Sequence, residues 1–206
     1  MTQLLVATTN PGKFTEVQAY LGQLPYEIIS LQSLEDCPAV VEDGATFEEN
    51  AVKKARTLAE TSGLLTLADD SGLEVDALNG APGICSARYA GESADDNRNN
   101  DKLLHEMRAV PEGERTARFV CALALCDPID GAMKVWTVRE SCEGRITSGL
   151  RGVNGFGYDP LFFYPPFGKT FGEIDRQSKA TVSHRGKALK KVAEILSTLV
   201  DLRSKP

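Results

Sequence analysis

Two neighbouring carboxylates, Asp69 and Asp70, close a short apolar run in the segment LLTLADDSG. Side by side at a strand end, they repel each other unless a cation or solvent relieves the charge. Their hard oxygens suit Mg²⁺, which takes one or two protein carboxylates and completes its shell with water and phosphate oxygens. Glu42, in VVEDGATF, is a further candidate ligand. A simple Asp-Ser-Gly turn accounts for Ser71 and Gly72 equally well.

Residues suited to anions cluster in TTNPGK, where Thr8, Thr9, Asn10, Pro11, Gly12 and Lys13 follow the apolar run LLVA. Amides at a helix start favour negative charge, Lys13 adds a full positive charge, and the hydroxyls and Asn10 add hydrogen bonds. This is not the ATPase-type loop G-x-x-x-x-G-K-[ST], because no glycine precedes Gly12 and Phe14 follows Lys13. A capped strand-to-helix turn with a solvated lysine is the plain alternative. A second basic group, RQSKATVSHRGKAL, places Lys179, His184, Arg185 and Lys187 around the start of a final helix that Ser183 can cap. Cations there oppose the helix dipole, so a bound anion would compensate them. In GFGYDP, Gly155 and Gly157 flank Phe156 and let backbone approach a ligand beside an aromatic face. Phe156 or Tyr158 could stack on a base, a contact of about 1–3 kcal/mol in nucleic-acid complexes. A turn carrying a core aromatic would look the same.

These residues need elements to position them. Phe14, Val17, Leu21 and Leu24 recur at helical spacing, so KFTEVQAYLGQL reads as an amphipathic helix, and YEIISLQSL as a second strand. Thr46 and Glu49 match a capping box for the helix FEENAVKKARTLAETS, which Gly63 can stop. LLTLA reads as a short strand ending at Asp69–Gly72, followed by the alternating LEVDAL. Ser93 is the expected cap of the helix ADDNRNNDKLLHEMRAV, on which His105 is a surface or packing residue. ARFVCALALC and MKVWTVRESCEG read as long strands joined by the turn DPIDG. The glycine-rich GLRGVNGFGYDP leads into LFFY. Ala188, Leu189, Val192, Ile195, Leu196 and Leu199 mark the last helix.

Composition bounds the function. A chain of 206 residues with 42% hydrophobic and 25% charged residues is an ordinary globular protein with one core and two lobes at most. No run approaches the roughly 20 apolar residues of a membrane span, and the N-terminus has no signal-peptide pattern, so cytoplasmic location is expected. A net charge of -6 argues against a general nucleic-acid binder. The five scattered cysteines lack metal-ligand spacing and read as buried thiols, and two histidines cannot build a histidine-rich zinc site.

Taken together, TTNPGK, ENAVKKA, ADDSGLEV, GAPGICSARYAG, GFGYDPLF and SHRGKAL resemble the inosine triphosphate pyrophosphatases, the noncanonical purine nucleoside triphosphate pyrophosphatases. The motifs run in that family's order from Leu5 to Leu189. The resemblance implies an α/β fold, an elongated mixed β-sheet flanked by helices, with two lobes around a central active-site cleft. It implies that residues 1–206 form a single nucleoside triphosphate pyrophosphatase domain acting as a homodimer, with no nucleic-acid or membrane partner. It further implies Mg²⁺-dependent hydrolysis of inosine, deoxyinosine and xanthosine triphosphates to monophosphate and pyrophosphate. By resemblance, Thr8 to Lys13 form the phosphate loop, Glu42 and Asp70 bind metal, and Asp70 is catalytic. Lys54, Ser71 and Lys179 match substrate-contacting positions, while Phe156, Gly157, Tyr158, Asp159, His184 and Arg185 match base-recognition segments. A related pyrophosphatase for modified pyrimidine nucleotides usually carries Ser-Pro-Arg-Arg where this chain has Asn-Pro-Gly-Lys. A non-catalytic nucleotide sensor would not need the complete acidic set.

Overall fold

The computed structural model describes residues 2–34, 37–92, 95–129 and 132–203. Among the described residues, seven strands form one mixed sheet, flanked by helices: β1 (Thr2–Ala7), β2 (Tyr26–Ser30), β3 (Leu65–Val75), β4 (Thr116–Ile129), β5 (Ala132–Ile146), β6 (Phe162–Tyr164) and β7 (Lys169–Thr170). Their order is β2-β1-β3-β4-β5-β6-β7. β1 is parallel to both β2 and β3, with Leu5 opposite Ile29 and Thr66, whereas β6 is antiparallel to β5 and β7. Parallel pairing requires crossovers. Helix α1 (Pro11–Leu21) follows β1, and helix α2 (Phe47–Ser62) precedes β3. Helices α3 (Asp96–Glu106), α4 (Arg176–Val182) and α5 (His184–Arg203) complete the set.

The chain divides into two compact units. The first comprises Met1–Asp70, Cys121–Glu140 and Gly186–Pro206; the second comprises Ser71–Val120 and Ser141–Arg185. Each has its own core. In the first, Val17 and Leu21 of α1 and Ala188, Leu189, Val192, Leu196 and Leu199 of α5 join Leu4, Val6, Leu67, Leu123 and Leu125 of the strands. The spacing of three or four residues puts these side chains on one stripe of each helix. Truncating the fully buried Leu196 to alanine would cost about 2–5 kcal/mol. In the second unit, Phe119, Phe162 and Phe171 pack with ring centroids 4.5–5.9 Å apart among Leu73, Leu103, Met107 and Leu161. Residues 117–127 of β4 are buried almost continuously, as expected for a strand paired on both edges and covered on both faces, while β5 alternates.

Several elements differ from the sequence expectation. Helix α1 starts at Pro11 and ends at Leu21, because Gly22 closes it by donating to the Gln18 carbonyl; Leu24 lies beyond the helix yet still packs on the core. β3 does not stop at Asp69: LTLADDSGLEV is one continuous strand. It passes through the paired aspartates because both carboxylates have partners, and through Gly72 because a side chain there would meet Ser86 Oγ at 2.3 Å. RQSKATV forms α4, a separate short helix, rather than the approach to the last helix. Asp95 caps α3 by accepting from Arg98 N–H. The expected cap Ser93 and the turn residues Asp130 and Gly131 lie outside the described residues. His105 is exposed, as its helical position suggested. Cys121, Cys126 and Cys142 are buried thiols, but Cys37 and Cys85 are exposed.

Candidate active site

The chemistry-bearing residues fall into two groups, one in each unit. In the first unit, Asn10 caps α1 by accepting from the Lys13 N–H at 3.0 Å, and its own N–H donates to Thr8 Oγ1 at 3.1 Å. Pro11 at the first helical position has no N–H to satisfy. Threonine, asparagine, proline and glycine therefore build a rigid turn that fixes the direction of Lys13. Its ammonium group lies 2.5 Å from Asp69 Oδ1. Lys54, on α2, lies 2.7 Å from Glu42 Oε1 and also donates to the Asp69 carbonyl at 3.1 Å.

Asp70 is the carboxylate not taken by a lysine contact in this set. Instead, Asp70 Oδ2 accepts from the Asn50 amide at 3.0 Å. Burial pushes the Asp70 carboxyl above its ordinary range; Lys13, the Asn50 hydrogen bond and Lys54 pull it down, and the negative charge of Glu42 raises it further. The sum is a carboxylate more basic than usual, held in a field of two lysines.

Among the described residues, no three His, Cys, Asp or Glu side chains converge on one point as a closed metal cage. Magnesium needs fewer protein ligands, because waters and substrate phosphates supply the rest. Glu42 and Asp70 fit that requirement: both offer hard oxygens, and the negative charge of Glu42 adds to the rise in the Asp70 proton affinity. A divalent cation would relieve that repulsion.

The second unit assembles the other group. Phe156 is partly exposed and receives two cations near its face, with Lys179 Nζ 4.8 Å and the Arg185 guanidinium 5.5 Å from the ring centroid. Asp159 organises this corner from full burial. Its Oδ2 accepts from the Phe156 N–H at 2.9 Å and from Lys179 Nζ at 2.5 Å. Gly155 is required beside it, since its φ is +78° and a Cβ would lie 1.9 Å from Asp159 Oδ2. Arg185 donates to Ser71 Oγ at 2.7 Å and is 2% exposed. His184 is buried and stacks on Phe119, with centroids 4.7 Å apart.

Two sequence expectations change here. Tyr158 belongs to the core: it is buried, its hydroxyl donates to the Ser86 carbonyl at 2.8 Å, and burial raises its ionisation. Of the two candidate aromatics, only Phe156 remains partly exposed. Lys179 lies in the last turn of α4, where a cation favours the helix dipole rather than opposing it. Its partner is Asp159. Sequence reading also missed Asp96 and Asn100, one turn apart on α3, which accept the Gly157 N–H at 2.7 Å and donate to the Gly157 carbonyl at 3.0 Å. The i, i+4 spacing was visible, but nothing in it named a loop 57 residues away as the partner.

A seven-stranded mixed sheet flanked by helices, with a lysine-bearing turn after β1 and buried acidic residues in β3, defines an α/β protein. The chain belongs to the Ham1 family, whose sequence profile matches residues 4–195. It is 51% identical over 197 residues to a dITP/XTP pyrophosphatase of Desulforamulus reducens, covering 96% of each chain. It is 53% identical over 189 residues to a dITP/XTP pyrophosphatase of Geobacter sulfurreducens, covering 92% of this chain and 94% of the relative. Its fold matches a HAM1 protein of Coxiella burnetii with a TM-score of 0.85 at 40% identity, over 96% of this chain and all of the other.

Proposed function

We propose that residues 1–206 act as a single, two-lobed pyrophosphatase domain that hydrolyses the noncanonical purine nucleotides inosine, deoxyinosine and xanthosine triphosphate. The products are the nucleoside monophosphate and pyrophosphate. The observation that carries this reading is Asp70, a buried carboxylate held by the Asn50 amide, with its proton affinity raised by burial beside the ion pairs of Lys13 with Asp69 and of Lys54 with Glu42. The names of the two relatives above support the same substrate class.

In this reading the turn from Thr8 to Lys13, together with Lys54, receives the polyphosphate. Lys13 and Lys54 exchange their carboxylate partners for phosphate oxygens. Asp70 accepts a proton from the water that attacks the α-phosphorus; the new bond forms there, the bond to the bridging oxygen breaks, and pyrophosphate leaves. A raised carboxyl affinity for protons improves that acceptance near neutral pH. Glu42 and Asp70 would hold Mg²⁺, which neutralises charge on phosphate oxygens when bound. Most of the catalysis then comes from positioning and charge complementarity. Phe156 stacks on the base, and Arg185, supported by Ser71, addresses its 6-oxo edge. Lys179, Asp159, Gly157 and His184 hold that recognition corner in shape.

The resemblance to the pyrophosphatase family alone supports a homodimer and action on the cytoplasmic nucleotide pool; sedimentation velocity tests the first. The substrate test is pyrophosphate release with Mg²⁺ across a panel of purine and pyrimidine triphosphates. Inosine and xanthosine triphosphates should exceed ATP by about one to two decades in kcat/KM, the size expected for one unpaired buried polar group. A preference for modified pyrimidines, or nucleotide binding without release, would overturn the reading.

A further inference from the structure

Asn50 is absent from the residues so far given a role, yet it makes two side-chain bonds that meet at the acidic site. Its amide Nδ2 donates to Asp70 Oδ2 at 3.0 Å, and its Oδ1 accepts the Gly44 N–H at 2.7 Å. The residue is 1% exposed. Gly44 is two residues from Glu42, so one carboxamide ties the loop bearing Glu42 to the strand bearing Asp70. The same loop is fastened to the start of α2 by Ala45 N–H donating to Glu49 Oε2 at 2.7 Å and Glu49 N–H donating to Thr46 Oγ1 at 3.1 Å. An amide suits this bridge, because one end must donate to a carboxylate while the other accepts from a backbone N–H, and the carboxamide carries both groups on one short stem. Leucine offers neither group, and aspartate accepts at both ends and adds a like charge beside Asp70.

We propose that Asn50 is the positioning residue that sets Glu42 and Asp70 in register for one divalent cation and for the attacking water. This rests on the pyrophosphatase reading above. Asn50 acts through the two carboxylates, directly on Asp70 and on Glu42 by way of Gly44. By holding Asp70 Oδ2, it fixes the orientation of that carboxylate and leaves Oδ1 outside the bridge, and by holding Gly44 it limits the travel of the Glu42 loop. Partners of metal ligands in other proteins set affinity or activity by about 10–100-fold.

The experiment compares wild type, Asn50→Leu, Asn50→Asp and Gly44→Ala as full-length protein. Gly44→Ala attacks the bridge from its far end, since a Cβ there would meet Asn50 Oδ1 at 2.8 Å and Glu49 Cβ at 2.8 Å. Three readouts are taken: kcat and KM for inosine triphosphate, the Mg²⁺ concentration giving half-maximal rate, and direct Mn²⁺ binding measured by the loss of free-ion paramagnetic resonance signal. Asn50→Leu should lower kcat by about 10–100-fold and weaken Mn²⁺ binding by about tenfold or more, while KM moves less than twofold. Gly44→Ala should shift the same quantities in the same direction by a smaller factor. Asn50→Asp should also lose kcat, even if its added charge preserves Mn²⁺ affinity. Circular dichroism establishes folding; if Asn50→Leu does not fold, the other two variants decide. An active wild type with unchanged kcat and Mn²⁺ affinity in the folded variants would overturn the role of Asn50. A wild type that releases no pyrophosphate would overturn the functional reading instead, and Mn²⁺ binding would still test the bridge.

Discussion

Lys13 and Asp69 form an ion pair at 2.5 Å in which the carboxylate is 4% exposed, and Asp69 Oδ2 also accepts from the Cys121 thiol at 3.4 Å. The cation assigned to the polyphosphate is therefore held by a buried anion in the resting protein. In the proposed reading substrate would have to compete for it, while the pair keeps Lys13 aimed.

That arrangement separates stability from binding. Lys13→Ala leaves Asp69 buried without its cation, and breaking a buried pair on one side costs about 3 kcal/mol at the lower end of the usual range. For a chain of this size that is a drop of about 6–12 °C in Tm. The double variant Lys13→Ala/Asp69→Asn should recover most of the Tm but none of the triphosphate affinity. Calorimetric titration should show inosine triphosphate weakened more than inosine monophosphate. Equal losses for the two nucleotides would place Lys13 away from the β- and γ-phosphates.

Asp70 predicts the opposite sign for stability. Its folded-state proton affinity is raised, chiefly by burial, so its contribution to stability is present below the ordinary aspartate range and is lost as pH rises through the folded value. At neutral pH the ionised side chain is a cost. With divalent metal chelated, Asp70→Asn should therefore raise Tm at pH 7, by about 2–4 °C for each kcal/mol recovered. The gain should shrink as pH falls toward the ordinary aspartate range. The same variant should lose most pyrophosphate release, because an amide is a poorer oxygen ligand and no base. A lower Tm at pH 7, or turnover near wild type, would contradict the assignment.

Helices α1, α2, α3 and α5 and strands β1 and β2 were legible because local rules decide them, whereas the short α4 and the two-residue edge strand β7 were not. Asn10, Thr46 and Gly63 mark helix ends by side-chain or left-handed caps, and the stripe from Ala188 to Leu199 has one period throughout. The course of β3 was not legible, since Asp-Asp-Ser-Gly carries every local signal of a turn. Tertiary partners on α1 and α2 overrule those signals. The acidic residues and Lys13 were visible by type and spacing, whereas Asn50 and the α3 pair Asp96 and Asn100 were not. An asparagine inside a helix has no local signature of its partner. Two lobes were expected, but which residues fill each core was not legible, because each unit draws on two or three separate stretches.

The thiols offer a check on what the chemistry omits. Burial pushes the Cys126 thiol up to about 11, and Cys121 and Cys142 are fully buried. Iodoacetamide at pH 7.5 should therefore modify Cys37 and Cys85 alone, as read by peptide mass spectrometry, since the thiolate is the reactive species. Neither exposed cysteine has a place in the proposed reaction, so the modified protein should keep its rate within about twofold. A large loss would give one of them a part in substrate handling.

In the proposed reading, base selection turns on Arg185. Its guanidinium carries only donors, and it is fixed by donating to Ser71 Oγ at 2.7 Å and by lying 5.5 Å from the centre of the Phe156 ring. A base stacked on Phe156 would bring its edge within reach of that fixed group. Hypoxanthine and xanthine present a 6-oxo acceptor there, whereas adenine presents a 6-amino donor that meets another donor. An unsatisfied buried polar group costs roughly 1–3 kcal/mol, or about one to two decades of selectivity. Guanine also carries the 6-oxo group, so its exclusion must act at position 2 and through other residues. Arg185→Ala should therefore narrow the inosine-to-adenosine ratio in kcat/KM by about tenfold or more and leave discrimination against GTP less changed. Ser71→Ala should shift the same ratio in the same direction by a smaller factor, because it loosens the guanidinium without removing it. The comparison needs inosine, adenosine and guanosine triphosphates on wild type and both variants. An inosine-to-adenosine ratio untouched by Arg185→Ala would remove this residue from base recognition and leave selectivity to the Phe156 corner.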